Sequence, residues 1–195
     1  MQAMALIRLN SIDMPQRKGK FMAIYMVQHV FARPDWEDEW NKWYESNLKV
    51  LMSVPGFRTG QRFKGTDGSP PHYMAMYTVD SAEVFESQFY IASGGNGVNS
   101  QHFRPAYQVW IRNLLDGIPS APAVAPDECL VCTDSPTSPA KVTGVELATL
   151  HTIGFHKTTP YRGLGVIKSG SMGSIARDAN TTLYLPITAQ MGQQY

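Results

Sequence analysis

Two stretches of this 195-residue chain carry side chains able to move a proton at an apolar surface: Phe21 to Phe31, FMAIYMVQHVF, and His72 to Val79, HYMAMYTV. The first is apolar on both alternating faces and rich in aromatic and branched residues, as a central strand is. A period of two puts Tyr25, Val27, His29 and Phe31 on one face and Ile24, Met26, Gln28 and Val30 on the other. In the second stretch Tyr73, Ala75, Tyr77 and Val79 share a face. An imidazole and several phenols converging from neighbouring strands could polarise a carbonyl and shift a proton from the adjacent carbon. His29, Tyr25 and Tyr73 are therefore the catalytic candidates, with Tyr77 beside them. The plainer alternative is that the tyrosines are core or interface aromatics with their hydroxyls at the rim, and that His29 is a hydrogen-bonded core residue.

A helix must position the other half of such a site. In PDWEDEWNKWYESNLKVLMSVPGF (34–57), Trp36, Trp40, Trp43, Tyr44, Val50, Leu51 and Val54 recur at steps of three, four and seven, the spacing of one buried stripe. Acidic residues crowd the start, where the helix dipole favours them; Pro34 suits a first turn and Pro55-Gly56 stops the helix. Asn47 lies on the apolar stripe, four residues from both Trp43 and Leu51. A carboxamide there needs hydrogen-bond partners, or it costs roughly 1–3 kcal/mol. It is either a satisfied core or dimer-contact residue or a polar group projecting into a pocket.

The elements fall in the order β-α-β-β-α-β. After the helix, FRTGQRFK (57–64) alternates, GTDGSPP (65–71) is a turn cluster, and 72–79 is the third strand. Helical spacing then recurs in SAEVFESQFYIAS (81–93) and again in PAYQVWIRNLL (105–115), with the glycine-rich 94–100 between them as a linker or pocket lid. The run from Cys129 to Thr133 supplies a fourth strand. This is the ferredoxin-like order, an α+β antiparallel sheet with helices on one face. Its first and third strands are central neighbours, which brings His29 and Tyr25 toward Tyr73 and Tyr77. Residues 1–20 read as a loose leader, with translation starting near Met22, and 21–134 as the domain. Residues 135–195 read as a β-rich C-terminal extension, its short strands over 145–155, 163–167 and 181–187 and a weak helix over 171–179 continuing the sheet or covering an edge.

Several functions are disfavoured. A formal charge of +1 gives no basic field for nucleic acid, and no apolar run is long enough to span a membrane. Cys129 and Cys132 stand on a strand without a second pair, so they read as packing residues pointing to opposite faces in a reducing, cytoplasmic compartment. The five histidines lack compact metal-site spacing, and neither a nucleophile elbow nor a dinucleotide fingerprint is present.

Trp40, Trp43-Tyr44, Val54-Pro55-Gly56-Phe57, Arg62-Phe63 and His72-Tyr73 together resemble the EthD-like members of the dimeric α/β-barrel superfamily, over residues 21 to 134. The resemblance implies a homodimer whose sheets pair face to face, with a mostly apolar pocket between each sheet and its helices and no cofactor. It also implies cyclase, isomerase, lyase or monooxygenase chemistry on an aromatic or polyketide-like carbonyl compound. Trp43, Tyr44, Asn47 and Tyr77 would then contact substrate. Many relatives carry W-Y-x-x-H-x-P where this chain has WYESNLKV, so Asn47 replaces a pocket histidine. An amide orients a ligand but exchanges no proton. A non-catalytic dimeric ligand-binding or accessory protein is accordingly the second reading.

Overall fold

A computed structural model describes residues 22–66, 72–137, 141–157, 159–176 and 178–193; the expected leader and the first residue of the expected domain lie outside them. The strand around His29 is β1 (Ala23–Phe31), followed by a 3-10 turn at Pro34–Trp36 and α1 (Glu37–Met52). Two strands follow, β2 (Phe57–Gly65) and β3 (His72–Val79). The next segment holds a 3-10 turn at Ala82–Glu86, the five-residue α2 (Gln88–Ala92) and a further 3-10 stretch at Gln101–Ala106.

Residues 105–115, expected as helix, form β4 (Tyr107–Asp116) instead. Tyr107, Trp110, Ile111, Leu114 and Leu115 do sit at helical intervals, but the same run alternates Gln108, Val109, Trp110, Ile111 and Arg112 at a period of two. Pairing of 107–115 with the whole length of β1 decides in favour of the strand. The fourth strand is thus β4, and the Cys129 strand, β5 (Glu128–Ser135), pairs with later ones. It is followed by β6 (Ala148–Phe155), β7 (Tyr161–Lys168), β8 (Thr181–Pro186) and the short β9 (Met191–Gly192). The weak helix expected over 171–179 is a 3-10 stretch at Ser169–Ser174.

The strands run in the order β3-β1-β4-β6-β7-β5-β8-β2, and β2 pairs back onto β3, so eight antiparallel strands close a barrel. The first four strands in chain order lie in space as second, third, first, fourth, and the next four repeat that order as β6-β7-β5-β8. Two short seams join the halves: 113–116 of β4 against β6, and 63–65 of β2 against β8. The C-terminal region therefore does more than continue a sheet. It supplies the other half of the barrel wall, the place where a twin subunit was expected.

Closure sorts every strand into a lumen face and an outer face. Ile24, Met26, Phe63, Met74, Met76, Leu130, Cys132, Leu150, Leu164 and Tyr184 fill the lumen. Ala121 and Val124 pack against them, and their segment is tied across one end by hydrogen bonds to Thr78 and Gln61. One charge sits inside: Arg162, 1% exposed, donates to Asp134 at 2.7 Å and to Gln28 at 3.0 Å. Cys129 and Cys132 are both buried, on opposite faces, Cys129 outward and Cys132 in the lumen.

On the outer face of the first half, Tyr25, Val27, Phe31, Tyr73, Ala75 and Tyr77 meet Trp40, Tyr44, Leu48, Leu51 and Met52 of α1. Leu48 and Met52 are buried there, whereas Val50, placed on the stripe by its spacing, is 41% exposed. Gly60 lets the helix come this close, since a Cβ there would stand 2.9 Å from Leu48, Met52 and Tyr77.

Candidate active site

Between α1, the outer face of β1, β3 and β4, and the glycine-rich segment lies a cavity of about 60 Å³, measured to the centres of the waters it could hold. It is lined by Tyr25, His29, Trp43, Tyr44, Asn47 and Tyr77 among the expected site residues, and by Tyr90, Tyr107, Trp110, Arg112 and the 94–97 backbone. Strand alternation delivers the first two, the cross-strand pair Tyr25 and Tyr77 delivers the next, and helical spacing aims Trp43, Tyr44 and Asn47 down from α1.

His29 is the chemical centre of this cavity. Its ring lies 4.7 Å from that of Tyr107, 5.6 Å from Trp40 and 5.7 Å from Tyr44, and it is 5% exposed. Burial among these rings, and secondarily the nearby Arg62 guanidinium, pushes its pKa down to about 3, so the imidazole is neutral at physiological pH. Its Nδ1 is buried without a hydrogen-bond partner, and so is the hydroxyl of Tyr77, whose polar neighbour is Tyr44. Burial also holds the Tyr25, Tyr44 and Tyr77 hydroxyls protonated, well above the usual phenol range.

Tyr73 is the expected catalytic residue that does not join them. It pairs with His29 across the strands, yet its hydroxyl turns to the first turn of α1 and bonds the Glu37 carboxylate, which also accepts from Lys64 Nζ at 2.7 Å. Its role is to brace the helix start. Next to it Arg62 is 2% exposed. The guanidinium sits 4.2 Å from the Tyr44 ring and 5.1 Å from Trp40, and donates to Asn41 Oδ1 at 2.8 Å. Burial lowers its pKa. Among the described residues no group of three His, Cys, Asp or Glu side chains comes together to hold a metal.

Sequence reasoning missed Tyr107, Trp110 and Arg112, because a helix at 105–115 would have scattered them. The alternation of Trp110 with Arg112, two residues apart, was the available signal.

No known protein family and no curated protein matches the chain by sequence. Solved structures do resemble it. An anthrone oxidase-like protein superposes with a TM-score of 0.60 at 8% identity, over 91% of this chain and 95% of that one. Candidate monooxygenases from Lactobacillus acidophilus and from Fusobacterium nucleatum each superpose with a TM-score of 0.52 at 8% identity, over 89% of this chain and 97% of theirs. The fold is of the dimeric α/β-barrel type. At such low identity the likeness carries the architecture and leaves the chemistry to the residues described above. No helix among the described residues is long and apolar enough to cross a membrane.

Proposed function

We propose that the protein is a small-molecule enzyme of the monooxygenase type, acting on an aromatic or polyketide-like compound with an acidic C–H or O–H beside a carbonyl. The observation that carries this is the neutral, buried His29, which lines one cavity with Tyr77 and whose Nδ1, like the Tyr77 hydroxyl, is buried without a hydrogen-bond partner. His29 accepts the substrate proton, and Tyr77 and Asn47 donate to the oxygen on which the resulting anion rests. A base of such low pKa works here because the imidazolium and the anion form together among buried aromatic rings, each stabilising the other. With dioxygen as co-substrate, the anion reduces O2 to a bound hydroperoxide. Loss of one water then leaves a carbonyl where a methylene stood, so one O2 is consumed and one water released per turnover. The naming of one structural neighbour as anthrone oxidase-like and of two others as candidate monooxygenases is in keeping with this choice among the chemistries the resemblance implied.

Each half is read as a ferredoxin-like unit, the second without its long helix, and the repeated strand order supports that reading. A homodimer, if it forms, would pair outer surfaces, since one chain already closes the barrel. The second reading, a ligand-binding protein without catalysis, draws on Asn47 standing where relatives carry a histidine.

The test is oxygen uptake with a hydroxyanthrone as substrate. His29→Ala is expected to lower turnover by roughly a hundredfold or more. Uptake by the variant equal to that of the parent protein removes His29 as the base, and no uptake by either favours the binding reading.

A further inference from the structure

Among the described residues only two that are not glycine adopt a positive φ, Asn96 at 60° and Phe155 at 58°. Asparagine tolerates that conformation, but a bulky aromatic residue there is an outlier that the surroundings must enforce. Both stand against the same side chain, Arg112.

Phe155 ends β6, contributed by the second half of the chain. Its left-handed turn brings His156 back onto β4, where the His156 N–H donates to the Arg112 carbonyl at 2.9 Å and the Arg112 N–H donates to His156 Nδ1 at 3.1 Å. Asn113 Nδ2 donates to the His156 carbonyl as well. Held this way, the Phe155 ring lies 4.4 Å from the Arg112 guanidinium, while the Trp110 ring lies 5.1 Å from it. Asn96, on the glycine-rich segment, accepts from Arg112 Nη1 at 3.2 Å. Arg112 Nε is buried and donates to nothing.

Arg112 is thus a guanidinium packed against two rings, oriented by two residues in an unusual conformation, on a side chain that lines the His29 cavity. Among the described residues lining that cavity it is the only one carrying a full charge, and none of them is a carboxylate. We propose that Arg112 anchors an oxyanion of the ligand, a carboxylate or a phenolate, and that Phe155 and Asn96 are positioning residues that aim it. The substrate class narrows to acidic aromatic compounds that enter as anions. This rests on the cavity being the ligand site, as the function proposed above requires. It adds that the second half of the chain, through Phe155, positions a side chain of a site whose described lining comes from the first half.

The probe pair is benzoate and its neutral isostere benzamide, with para-nitrophenolate as a third ligand, titrated by tryptophan fluorescence and calorimetry. The parent protein is expected to bind benzoate about tenfold or more tighter than benzamide. Arg112→Gln is expected to abolish that preference and Arg112→Lys to recover part of it, because a lysine restores charge without the planar fork. Arg104→Gln should leave the preference intact: Arg104 also packs on Trp110, at 4.9 Å, but is exposed and outside the cavity lining. A preference for benzoate alone assigns a carboxylate, and tight binding of para-nitrophenolate as well assigns a phenolate. No preference in the parent protein, or one that survives Arg112→Gln, overturns the proposal. If both neutral and anionic probes bind equally and His29→Ala weakens both, the cavity stands as the ligand site and only the anchor falls. Unchanged far-ultraviolet circular dichroism in Arg112→Gln shows that the variant still folds.

Discussion

Replacing His29 by Phe makes the electrostatics of the site measurable without any substrate. Phenylalanine keeps the ring contacts with Trp40, Tyr44 and Tyr107 and has the adjoining cavity to expand into, while removing the one group there that resists a proton. In the unfolded chain histidine titrates near its ordinary value of 6.5, and in the fold near about 3. Between those values the unfolded state binds a proton that the folded state refuses, so stability falls as pH drops below 6.5 and levels off only below about 3. Each pH unit in that window is worth about 1.4 kcal/mol, so about 2–3 kcal/mol is lost on going from neutral pH to about pH 4.5. Urea unfolding of both proteins at neutral pH and near pH 4.5 isolates this contribution, because carboxylates and other histidines titrate alike in each and cancel in the double difference. The expected result is that His29→Phe loses about 2–3 kcal/mol less than the parent protein over that span. Equal losses would refute the neutral, buried imidazole, and the base assignment would fall with it.

Two further outcomes follow from the same geometry. Stabilisation by bound benzoate in a thermal shift should be weakened more by Asn47→Ala than by His102→Ala, since Asn47 lines the cavity and His102 lies outside it, stacked on Trp36. Asp134→Asn should destabilise the fold by roughly 3 kcal/mol, read from urea unfolding, because it leaves the Arg162 guanidinium inside the barrel without its countercharge.

Much of this site was legible because its placement depends on local periodicity. Alternation along 23–31 and 72–79 assigns His29, Tyr25 and Tyr77 to one face, and the helical period hangs Trp43, Tyr44 and Asn47 above them. Tyr73 obeyed the same alternation and still left the site, because Glu37 and Lys64 offered its hydroxyl a partner at the helix start, a contact 36 residues away along the chain. The burial of Arg62 is likewise a long-range outcome. Nothing local announces that Asn41 and the faces of Tyr44 and Trp40 will receive its guanidinium.

The sequence by itself determined the amphipathic helix, the strands and the opposite-facing cysteines, since each is a matter of spacing within one segment. Only the tertiary structure decided that residues 107–116 are a strand, that the last sixty-odd residues repeat the strand order of the first half, and that the barrel closes within one chain. Those outcomes depend on which edge finds which partner, and hydrogen bonding between distant strands is not written in the period of either. The anchoring of Arg112 by Phe155 belongs to the same class, being made where two halves of the chain meet.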